Sequence, residues 1–492
     1  MVFMKKIISL VCFLIIISCQ SINDQNDLPN LILINVDDLG WTDLSVMGSK
    51  YYQTPNIDKL SDSGMTFFNA YASANCAPSR ATMLTGKYPT EHQIYTVGNS
   101  ERGNKKTRKL IPVKNKTVLD LNFLLIPEML KIKGYVNGHF GKWHLGPKGF
   151  YPEDNGFDIN IGGSHMGSPG KEGYFSPYSN PSMDDGPEGE YLTDRIGDEV
   201  VRFIDNNKEN TFFAYVPFFS VHTPIQSKKE YQEKYLKIKG DNNHNRSDYA
   251  GMIQSVDENI GKILNKIESL NLLNETLIIF TSDNGGIRAI SNQFPLRAGK
   301  GSYYEGGIKV PLIFSWKGKI KPNSKSYERV SNIDLFPTIK NIVDYNNNNL
   351  KLEGLDLGPV FENKKLDNRS LFFHFPIYLE AYNVHKDNGT DPLFRTRPGS
   401  VIIKDDWKLH HYFENNSLEL YNLKEDVSES NNVFKENEDK TNQLYQELDS
   451  WRKKNNAPIP KELNADFDQK FVDSLLLQIQ ETKVSGIIFK IK

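Results

Sequence analysis

The chain has 492 residues, of which 38% are hydrophobic and 11% aromatic, so it is long enough for one large globular domain and a smaller one. Its 59 lysines and arginines nearly balance its 61 aspartates and glutamates, giving a formal net charge of −2. This composition excludes a largely disordered chain and provides no general attraction to nucleic acid. An anionic ligand therefore has to be bound by a local cluster of basic side chains.

The first residues predict an export signal. A short basic start, residues 1–6, precedes an apolar run over residues 7–17 that is too short to span a bilayer permanently. We interpret residues 1–18 as a signal peptide and residues 19–30 as a polar tether. The segment that ends at Cys19 resembles a bacterial lipobox. Cys19 would then be the acylated N-terminus of an exported lipoprotein, held to the membrane by its lipid anchor in the periplasm or at the outer membrane. An ordinary secretory signal is the alternative.

The cysteine count indicates chemistry at one position. The chain contains Cys12, Cys19 and Cys76. Because Cys12 lies in the predicted signal peptide and Cys19 is predicted to be acylated, Cys76 stands alone in the folded body and no disulfide framework can form. A small, buried, chemically inert residue is the alternative interpretation of Cys76.

Residues 31–366 alternate short apolar strands with helical segments, which predicts an α/β domain with a large, mostly parallel sheet flanked by helices. Three apolar runs have the composition of strands covered on both faces: residues 31–36, 212–216 and 276–280. Apolar residues at helical spacing predict a helix over residues 249–270.

The sequence pattern changes in residues 367–492, where the alternation of strands and helices stops. We interpret these residues as a C-terminal subdomain. Short strand candidates at hairpin-like intervals predict a small antiparallel sheet. These candidates are residues 370–373, 400–403, 407–409 and 418–421. A polar helix is predicted to follow over residues 436–455.

Acidic and amide side chains follow two of the predicted strands. Asp37 and Asp38 come directly after the first strand, and Asp283 and Asn284 follow the strand that ends at Phe280. Ligands of open α/β sheets bind beyond the carboxyl ends of the strands, and oxygen donors suit a hard cation such as calcium. Either pair alone also suits a helix cap or a turn. Together they predict a cation site.

Basic side chains follow two further strand candidates. Lys142 and His144 come after a short segment over residues 134–140, and His222 comes after the run that ends at Val216. A histidine taken at random among the ten of this chain is more often structural than catalytic. The position of these residues beyond strand ends favours a role in the site.

Residues 76–86 (CAPSRATMLTG) form the strongest motif. Pro78 suits the first turn of a helix, where its missing amide does no harm. Cys76 would then stand at a helix N-terminus, where free amides and the helix dipole favour an anion. Arg80 would add a planar fork for anionic oxygens about one turn later. The residues alone thus predict an anion-binding helix start that carries a candidate nucleophile.

Residues 76–86 resemble the signature of type I, formylglycine-dependent sulfatases, in their polysaccharide-acting, arylsulfatase-like branch. Further segments match this family in its own order, from about residue 31 to about residue 432. They are residues 141–146 (GKWHLG), 222–224 (HTP), 281–286 (TSDNGG), 299–307 (GKGSYYEGG) and 334–338 (DLFPT). The resemblance implies an alkaline phosphatase-like fold and a sulfuric ester hydrolase that binds one calcium ion.

The resemblance also assigns the metal site and the nucleophile. It implies calcium ligands at Asp37, Asp38, Asp283 and Asn284, with the modified Cys76 facing the same ion. In that family a formylglycine-generating maturation enzyme oxidises the cysteine, and the hydrated aldehyde attacks the sulfur atom. Loss of a proton from the remaining hydroxyl later expels sulfate and restores the aldehyde.

The sulfate would be surrounded by Arg80, Lys142, His144, His222 and Lys300. Calcium and these cations would offset the negative charge on the sulfuryl oxygens. His144, assisted by Lys142, is the predicted base for the elimination step. His222 is the predicted acid that protonates the leaving alcohol, and Lys300 is the alternative.

The sulfate site does not identify the molecule that carries the sulfate, because loops and the small subdomain would recognise it. Candidate contacts are His165, Arg288, His374, Tyr378, Arg395 and Arg397; stabilisation of the small sheet is their alternative role. We expect a sulfated carbohydrate: fragments of an algal polysaccharide such as ulvan or carrageenan, or a glycosaminoglycan. A related metal-dependent phosphatase or phosphonate hydrolase and a non-catalytic sugar-binding lipoprotein are the competing hypotheses.

Overall fold

The computed structural model describes residues 28–347 and 349–485. The predicted signal peptide, Cys19 and residues 19–27 of the predicted tether lie outside these residues. Within the described ranges, no helix is both long enough and apolar enough to cross a bilayer.

A sheet of eight strands forms the centre of the large domain, in the order β4-β3-β5-β1-β6-β7-β2-β8. The strands are β1 Asn30–Val36, β2 Met65–Tyr71, β3 Val136–Phe140, β4 Ile159–Ile161, β5 Phe212–Pro217, β6 Thr276–Ser282, β7 Lys309–Ser315 and β8 Ser324–Ser331. Only β7 runs antiparallel to its neighbours, β6 and β2. The predicted large, mostly parallel sheet is therefore confirmed, although β1 begins at Asn30, inside the predicted tether.

Helices cover both faces of this sheet. They are α1 Pro55–Asp62, α2 Cys76–Thr85, α3 Pro89–His92, α4 Ile126–Ile132, α5 Leu192–Asn206, α6 Lys229–Leu236, α7 Ser247–Ser269, α8 Glu305–Ile308, α9 Leu335–Ile342 and α10 Gly358–Phe361. Side chains of β1 alternate between two cores, because successive residues of a strand face opposite sides. Ile32 and Ile34 pack in the core that contains α1, α5 and α7, and Leu31 and Leu33 in the core that contains α2, α4 and α9.

The C-terminal part contains the predicted antiparallel sheet, in the order β14-β13-β12-β9. Its elements are β9 Ser370–Phe375, β10 Leu379–Glu380, β11 Phe394–Thr396, β12 Gly399–Lys404, β13 Trp407–Tyr412, β14 Ser417–Asn422, α11 Glu438–Lys454 and α12 Gln469–Ser485; β10 and β11 pair separately. One face packs on α11 through Ile402 and Leu448. The other face packs through Val401 on a cluster that includes Tyr303 of the large domain, so the small sheet lies against the segment that follows Lys300.

Candidate active site

The candidate active site lies at the carboxyl ends of β3, β5, β1 and β6, four neighbouring strands of the large sheet. Backbone hydrogen bonds join the loops that follow these strands. The Asp37 amide donates to the Ser220 carbonyl at 3.0 Å, and the Lys142 amide donates to the Pro217 carbonyl at 2.7 Å. The side chains after each strand are therefore held at one edge, as the sequence predicts.

The two predicted acidic pairs support each other. Asp38 has φ of 60°, in the left-handed region that costs a non-glycine residue about 1–2 kcal/mol. Its amide donates to Oδ1 of Asp283 at 3.2 Å, and Nδ2 of Asn284 donates to Oδ1 of Asp38 at 2.9 Å. The turn after β1 thus directs its carboxylates towards the loop after β6.

Cys76 is the first residue of α2, as predicted, and its side chain is buried. The Sγ atom lies within 4.8 Å of one carboxylate oxygen of Asp37 and one of Asp283. Burial raises the pKa of the Cys76 thiol to about 11, so the thiol is uncharged at neutral pH. One turn further, Arg80 donates from Nε to Oδ2 of Asp283 at 2.9 Å and from Nη1 to the Lys142 carbonyl at 2.8 Å.

Three buried cations face the three buried carboxylates. The ion pairs are Arg80 with Asp283 (2.8 Å), Lys142 with Asp37 (2.6 Å) and Lys300 with Asp38 (2.6 Å). Burial raises the pKa of Asp37 to about 8, against the effect of the Lys142 ammonium. Burial acts to raise the pKa of Asp38 as well, but the nearby Lys300 ammonium holds it well below its usual range. Each of these three cations thus has a carboxylate partner within 2.8 Å.

Two buried oxygens of this cluster lack a hydrogen bond within the described residues: Oδ1 of Asp37 and Oδ1 of Asn284. Buried polar atoms are normally hydrogen-bonded, so these two oxygens call for a ligand. Carboxylate and amide oxygens are the donors that calcium prefers. The residues present therefore fit a hard divalent cation, whereas the Cys76 sulfur is too soft to suit the same ion.

Both predicted histidines reach the site. His144 has φ of 62°, and its Nδ1 is buried without a hydrogen-bond partner among the described residues. A Cβ on Gly167 would lie 2.5 Å from the His144 ring, so the ring needs a glycine there. Burial and the Lys142 charge lower the pKa of His144 well below its ordinary value. His144 is therefore neutral and able to accept a proton.

His222 lies across the site, with Nε2 3.7 Å from Oδ2 of Asp38. Its Nδ1 is 2.7 Å from the Thr223 carbonyl. Because a carbonyl only accepts, Nδ1 carries the proton of the neutral ring and Nε2 faces the site as an acceptor. Burial and the Lys300 charge lower the pKa of His222 to about 3.

Two of the proposed substrate contacts have structural roles instead. His374 is buried, with Nδ1 2.8 Å from Oγ of Ser400 and Nε2 3.0 Å from the Pro458 carbonyl. The Tyr378 hydroxyl is buried, donates to Glu414 and accepts from the Leu110 amide. For these residues the alternative interpretation holds: they stabilise the C-terminal part.

The three arginines among the candidate substrate contacts line cavities. Arg397 lines a cavity of about 310 Å³ but is paired with Asp391 and Glu414. Arg288 and Arg395 both line a smaller cavity that also contains Lys300. His165 is exposed, and its Nδ1 is 3.2 Å from the Tyr151 hydroxyl; it lines neither cavity.

Sequence reasoning missed residues of this small cavity. Tyr382 and Asp387 line it from the loop between β10 and β11. The Arg395 guanidinium stacks 3.4 Å from the Tyr382 ring centroid and donates from Nη1 to the Lys300 carbonyl at 3.0 Å. No strand, repeat or motif in the sequence marks this loop, so only the fold could reveal it.

The large sheet is alkaline phosphatase-like, and the Asp37, Cys76 and Asp283 side chains at its carboxyl edge could hold a metal ion. Residues 29–345 match the sulfatase family, and residues 299–457 match the C-terminal region of N-sulphoglucosamine sulphohydrolase. A sulfatase of Formosa agariphila is 34% identical to the chain, over 92% of this chain and 95% of that protein. The N-acetylgalactosamine-6-sulfatase of Mus musculus is 31% identical, over 73% of this chain and 72% of that protein.

A solved structure supports the same assignment. The crystal structure of Ps i-CgsB in complex with k-i-k-neocarrahexaose has a TM-score of 0.71 and 29% identity, covering 90% of this chain and 94% of that one. The chain belongs to the sulfatase family, and it is a sulfuric ester hydrolase. This confirms the predicted family and the predicted class of enzyme.

Proposed function

We propose that this enzyme removes sulfate esters from a sulfated carbohydrate, with Cys76 converted to formylglycine and one calcium ion bound beside it. The observation that carries the proposal is the buried cluster at the start of α2, where the Cys76 sulfur and oxygens of Asp37 and Asp283 lie within 4.8 Å of one another. Replacing the sulfur by oxygen would turn a poor calcium ligand into a good one. The modification therefore also suits the metal site.

Four side chains of the chain would hold the ion: Asp37, Asp38, Asp283 and Asn284. The two unpartnered oxygens, Oδ1 of Asp37 and Oδ1 of Asn284, support this set. When bound, calcium offsets charge on the sulfuryl oxygens, and formylglycine supplies the hydroxyl nucleophile. Production of formylglycine requires a maturation enzyme, which we propose as a partner of this chain.

The basic residues of the chain bind and orient the sulfate group. Lys142 and Lys300 are each paired with a carboxylate, so a calcium ion that takes over those carboxylates would free both ammonium groups for sulfate oxygens. Arg80 donates to Asp283 and to the Lys142 carbonyl, so it fixes the metal loop and the loop after β3 as well as adding charge. We also propose that Arg80 and His222 contact the sulfate group directly.

Proton transfer is assigned to groups on two sides of the site. The neutral His144 accepts a proton from the nucleophile side, with Lys142 beside it. The candidate acids for the leaving alcohol are His222, which must first take up a proton on Nε2, and Lys300, which already carries one as an ammonium; both lie next to Asp38.

Two features favour a carbohydrate over a small aryl ester. The cavity beside Lys300 and the cavity of about 310 Å³ share Phe394 and Arg395 in their walls, so the larger cavity, which has the size of a ligand pocket, lies next to the sulfate site. The relatives named above include an N-acetylgalactosamine-6-sulfatase and a protein solved with a carrageenan-type hexasaccharide ligand, k-i-k-neocarrahexaose. We therefore propose fragments of a sulfated polysaccharide, of the carrageenan, ulvan or glycosaminoglycan type.

The site of action follows from the N-terminal sequence. We propose that residues 1–18 direct export and that an acylated Cys19 anchors the enzyme in the periplasm or at the outer membrane. A lipid anchor would keep the enzyme close to imported oligosaccharides.

A sulfate-release screen tests the function. The full exported chain is produced with and without a formylglycine-generating enzyme and is offered defined sulfated oligosaccharides, with inorganic sulfate as the readout. We expect release only by the converted protein, and retained sugar binding without release by Cys76→Ala. The unconverted protein is the matched control, because its sequence is identical. Equal release by converted and unconverted protein would refute the proposal.

A further inference from the structure

We propose that Arg288 binds a second anionic group of the substrate, a sulfate or a carboxylate close to the ester that is cleaved. This inference rests on the proposed function and deepens it, because it makes the enzyme selective for sugars that carry two negative charges. The place for the second anion is the mouth of the small cavity beside Lys300, a cavity of about 10 Å³ whose walls include Arg288, Tyr382, Asp387 and Arg395.

The position of Arg288 relative to the sulfate site is fixed by backbone contacts. Arg288 lies two residues after Gly286, the last residue of the predicted metal loop. The Lys300 amide donates to the Gly286 carbonyl at 2.8 Å. A Cβ on Gly299 would lie 2.4 Å from the Gly286 carbonyl oxygen and 2.8 Å from the Arg288 nitrogen, so only glycine allows this approach. The two cationic side chains therefore start from two backbone segments in direct contact.

The Arg288 guanidinium has donors to spare. Its one hydrogen bond within the described residues runs from Nη1 to the Leu296 carbonyl, at 3.2 Å. Several other partly buried arginines of this protein have carboxylate partners, such as Arg329 with Asp406 at 3.0 Å. Among the described residues no carboxylate pairs with Arg288, and burial lowers its pKa. A half-buried cation of this kind gains from an anionic ligand that uses its free fork.

The mouth of this cavity, rather than its interior, suits a sugar ring. Tyr382 is 46% exposed and is held flat against the Arg395 guanidinium, so its outer face is available for an apolar sugar face. Arg395 itself is occupied, because Nε donates to the Glu380 carbonyl at 2.8 Å and Nη1 to the Lys300 carbonyl at 3.0 Å. Asp387 accepts the Tyr382 amide at 2.6 Å through Oδ2 and so shapes the loop. Among the described residues of this wall, Arg288 is thus the cation whose guanidinium fork is unoccupied.

The test compares substrates that differ by one charge. Wild type, Arg288→Ala and Arg288→Lys are assayed on a monosulfated disaccharide, on its disulfated form, on a form with one sulfate and one uronate, and on an aryl sulfate. Arg202→Ala is the matched control, because it removes a mostly exposed arginine near the C-terminal end of α5. Thermal unfolding confirms that each variant is folded.

We expect Arg288→Ala to raise KM about 10- to 100-fold on the doubly charged sugar that fits, with kcat nearly unchanged, since a ground-state contact is lost. Arg288→Lys keeps the positive charge but loses the planar guanidinium fork. Its KM on the doubly charged sugar should therefore lie between those of wild type and Arg288→Ala. Activity on the aryl sulfate and the monosulfated sugar should stay within about threefold of wild type. The second group is a sulfate if KM rises more on the disulfated sugar, and a carboxylate if KM rises more on the sugar with one sulfate and one uronate.

Two failures are distinguishable. If wild type releases no sulfate from any ester, the proposed function fails and the inference with it. If wild type is active but Arg288→Ala lowers activity equally on all substrates, or on none, the proposed function stands and the role of Arg288 is wrong.

Discussion

Replacement of Lys408 by methionine should destabilise the whole enzyme, because this lysine is the centre of a buried ionic cluster between the two parts of the chain. Lys408 on β13 is fully buried, with Nζ 3.1 Å from Oε1 of Glu305 and 2.9 Å from Oε1 of Glu429. Glu305 begins α8, and the Gly285 amide of the metal loop donates to the Gly307 carbonyl of the same helix at 2.9 Å. The cluster thus links the small sheet to the candidate active site.

The magnitude follows from these distances. At 3 Å and an effective dielectric constant of about 20, each pair is attractive by about 5 kcal/mol before desolvation is subtracted. Removing one partner of a buried pair typically costs about 3–5 kcal/mol, because the remaining charge stays buried and unpaired. Burial already raises the pKa of Glu429 to about 7, although the Lys408 charge acts against that rise. Without Lys408 this pKa must rise further.

The pH dependence of the Lys408→Met variant has a defined sign. A carboxyl group whose pKa is raised in the folded state holds a proton that the unfolded chain releases, so stability falls as pH rises. The deficit of the variant should therefore be smaller at pH 5.5 than at pH 8. The double variant Lys408→Met with Glu429→Gln should recover part of the loss, because it leaves one fewer buried charge.

Thermal unfolding followed by circular dichroism measures the effect. We expect the Tm of Lys408→Met to fall by about 3–5 °C at pH 8. Lys404→Met is the matched control on the neighbouring strand: its 2.7 Å pair with Glu447 is a quarter to a third exposed, so its loss costs about 0–1 kcal/mol. Equal Tm values for both variants at pH 8 would show that the cluster does not stabilise the fold as argued.

Three further predictions concern the site. Asp283→Ala should abolish calcium binding measured by calorimetry. Asp257→Asn, which alters a buried carboxylate on α7, should still bind calcium. Equal calcium binding by both variants would contradict the proposed role of Asp283 as a calcium ligand. Lys300→Ala should lower kcat for sulfate release about 10²- to 10³-fold. Lys228→Ala, which removes a partly buried ion pair with Asp194, should leave kcat nearly unchanged. Similar rates for the two variants would exclude the role of Lys300. His144→Ala should slow sulfate release about 10²- to 10⁴-fold without loss of the Cys76 modification, and an unchanged rate would exclude it as the base.

The strands of the site could be predicted because they are buried on both faces. Residues 31–36, 212–216 and 276–280 are almost continuously apolar, and they lie in β1, β5 and β6 at the centre of the sheet. In contrast, β8 is an edge strand with the polar sequence SKSYERVS, which carries no such signal. Polar residues just after these central strands therefore indicated which side chains the fold brings together at one edge of the sheet.

The substrate-facing residues could not be predicted in the same way. His374 and Tyr378 have the polar types expected of a sugar site, yet long-range contacts to Pro458 and Leu110 make them part of the protein interior. Tyr382 is exposed and lines the cavity beside Lys300, where it can contact a substrate. It lies in a loop whose sequence has no hydrophobic periodicity or motif to mark it. Residue type alone does not distinguish a polar group that the fold satisfies from one that it leaves for a ligand.

The central claim is that Cys76 acts after conversion to formylglycine. Mass spectrometry of the peptide that carries residue 76, taken from enzyme that releases sulfate, tests it most directly. The account predicts that the thiol is replaced by an aldehyde and that the aldehyde-bearing fraction tracks the specific activity. An enzyme that releases sulfate at full rate while residue 76 remains an unmodified cysteine would contradict it.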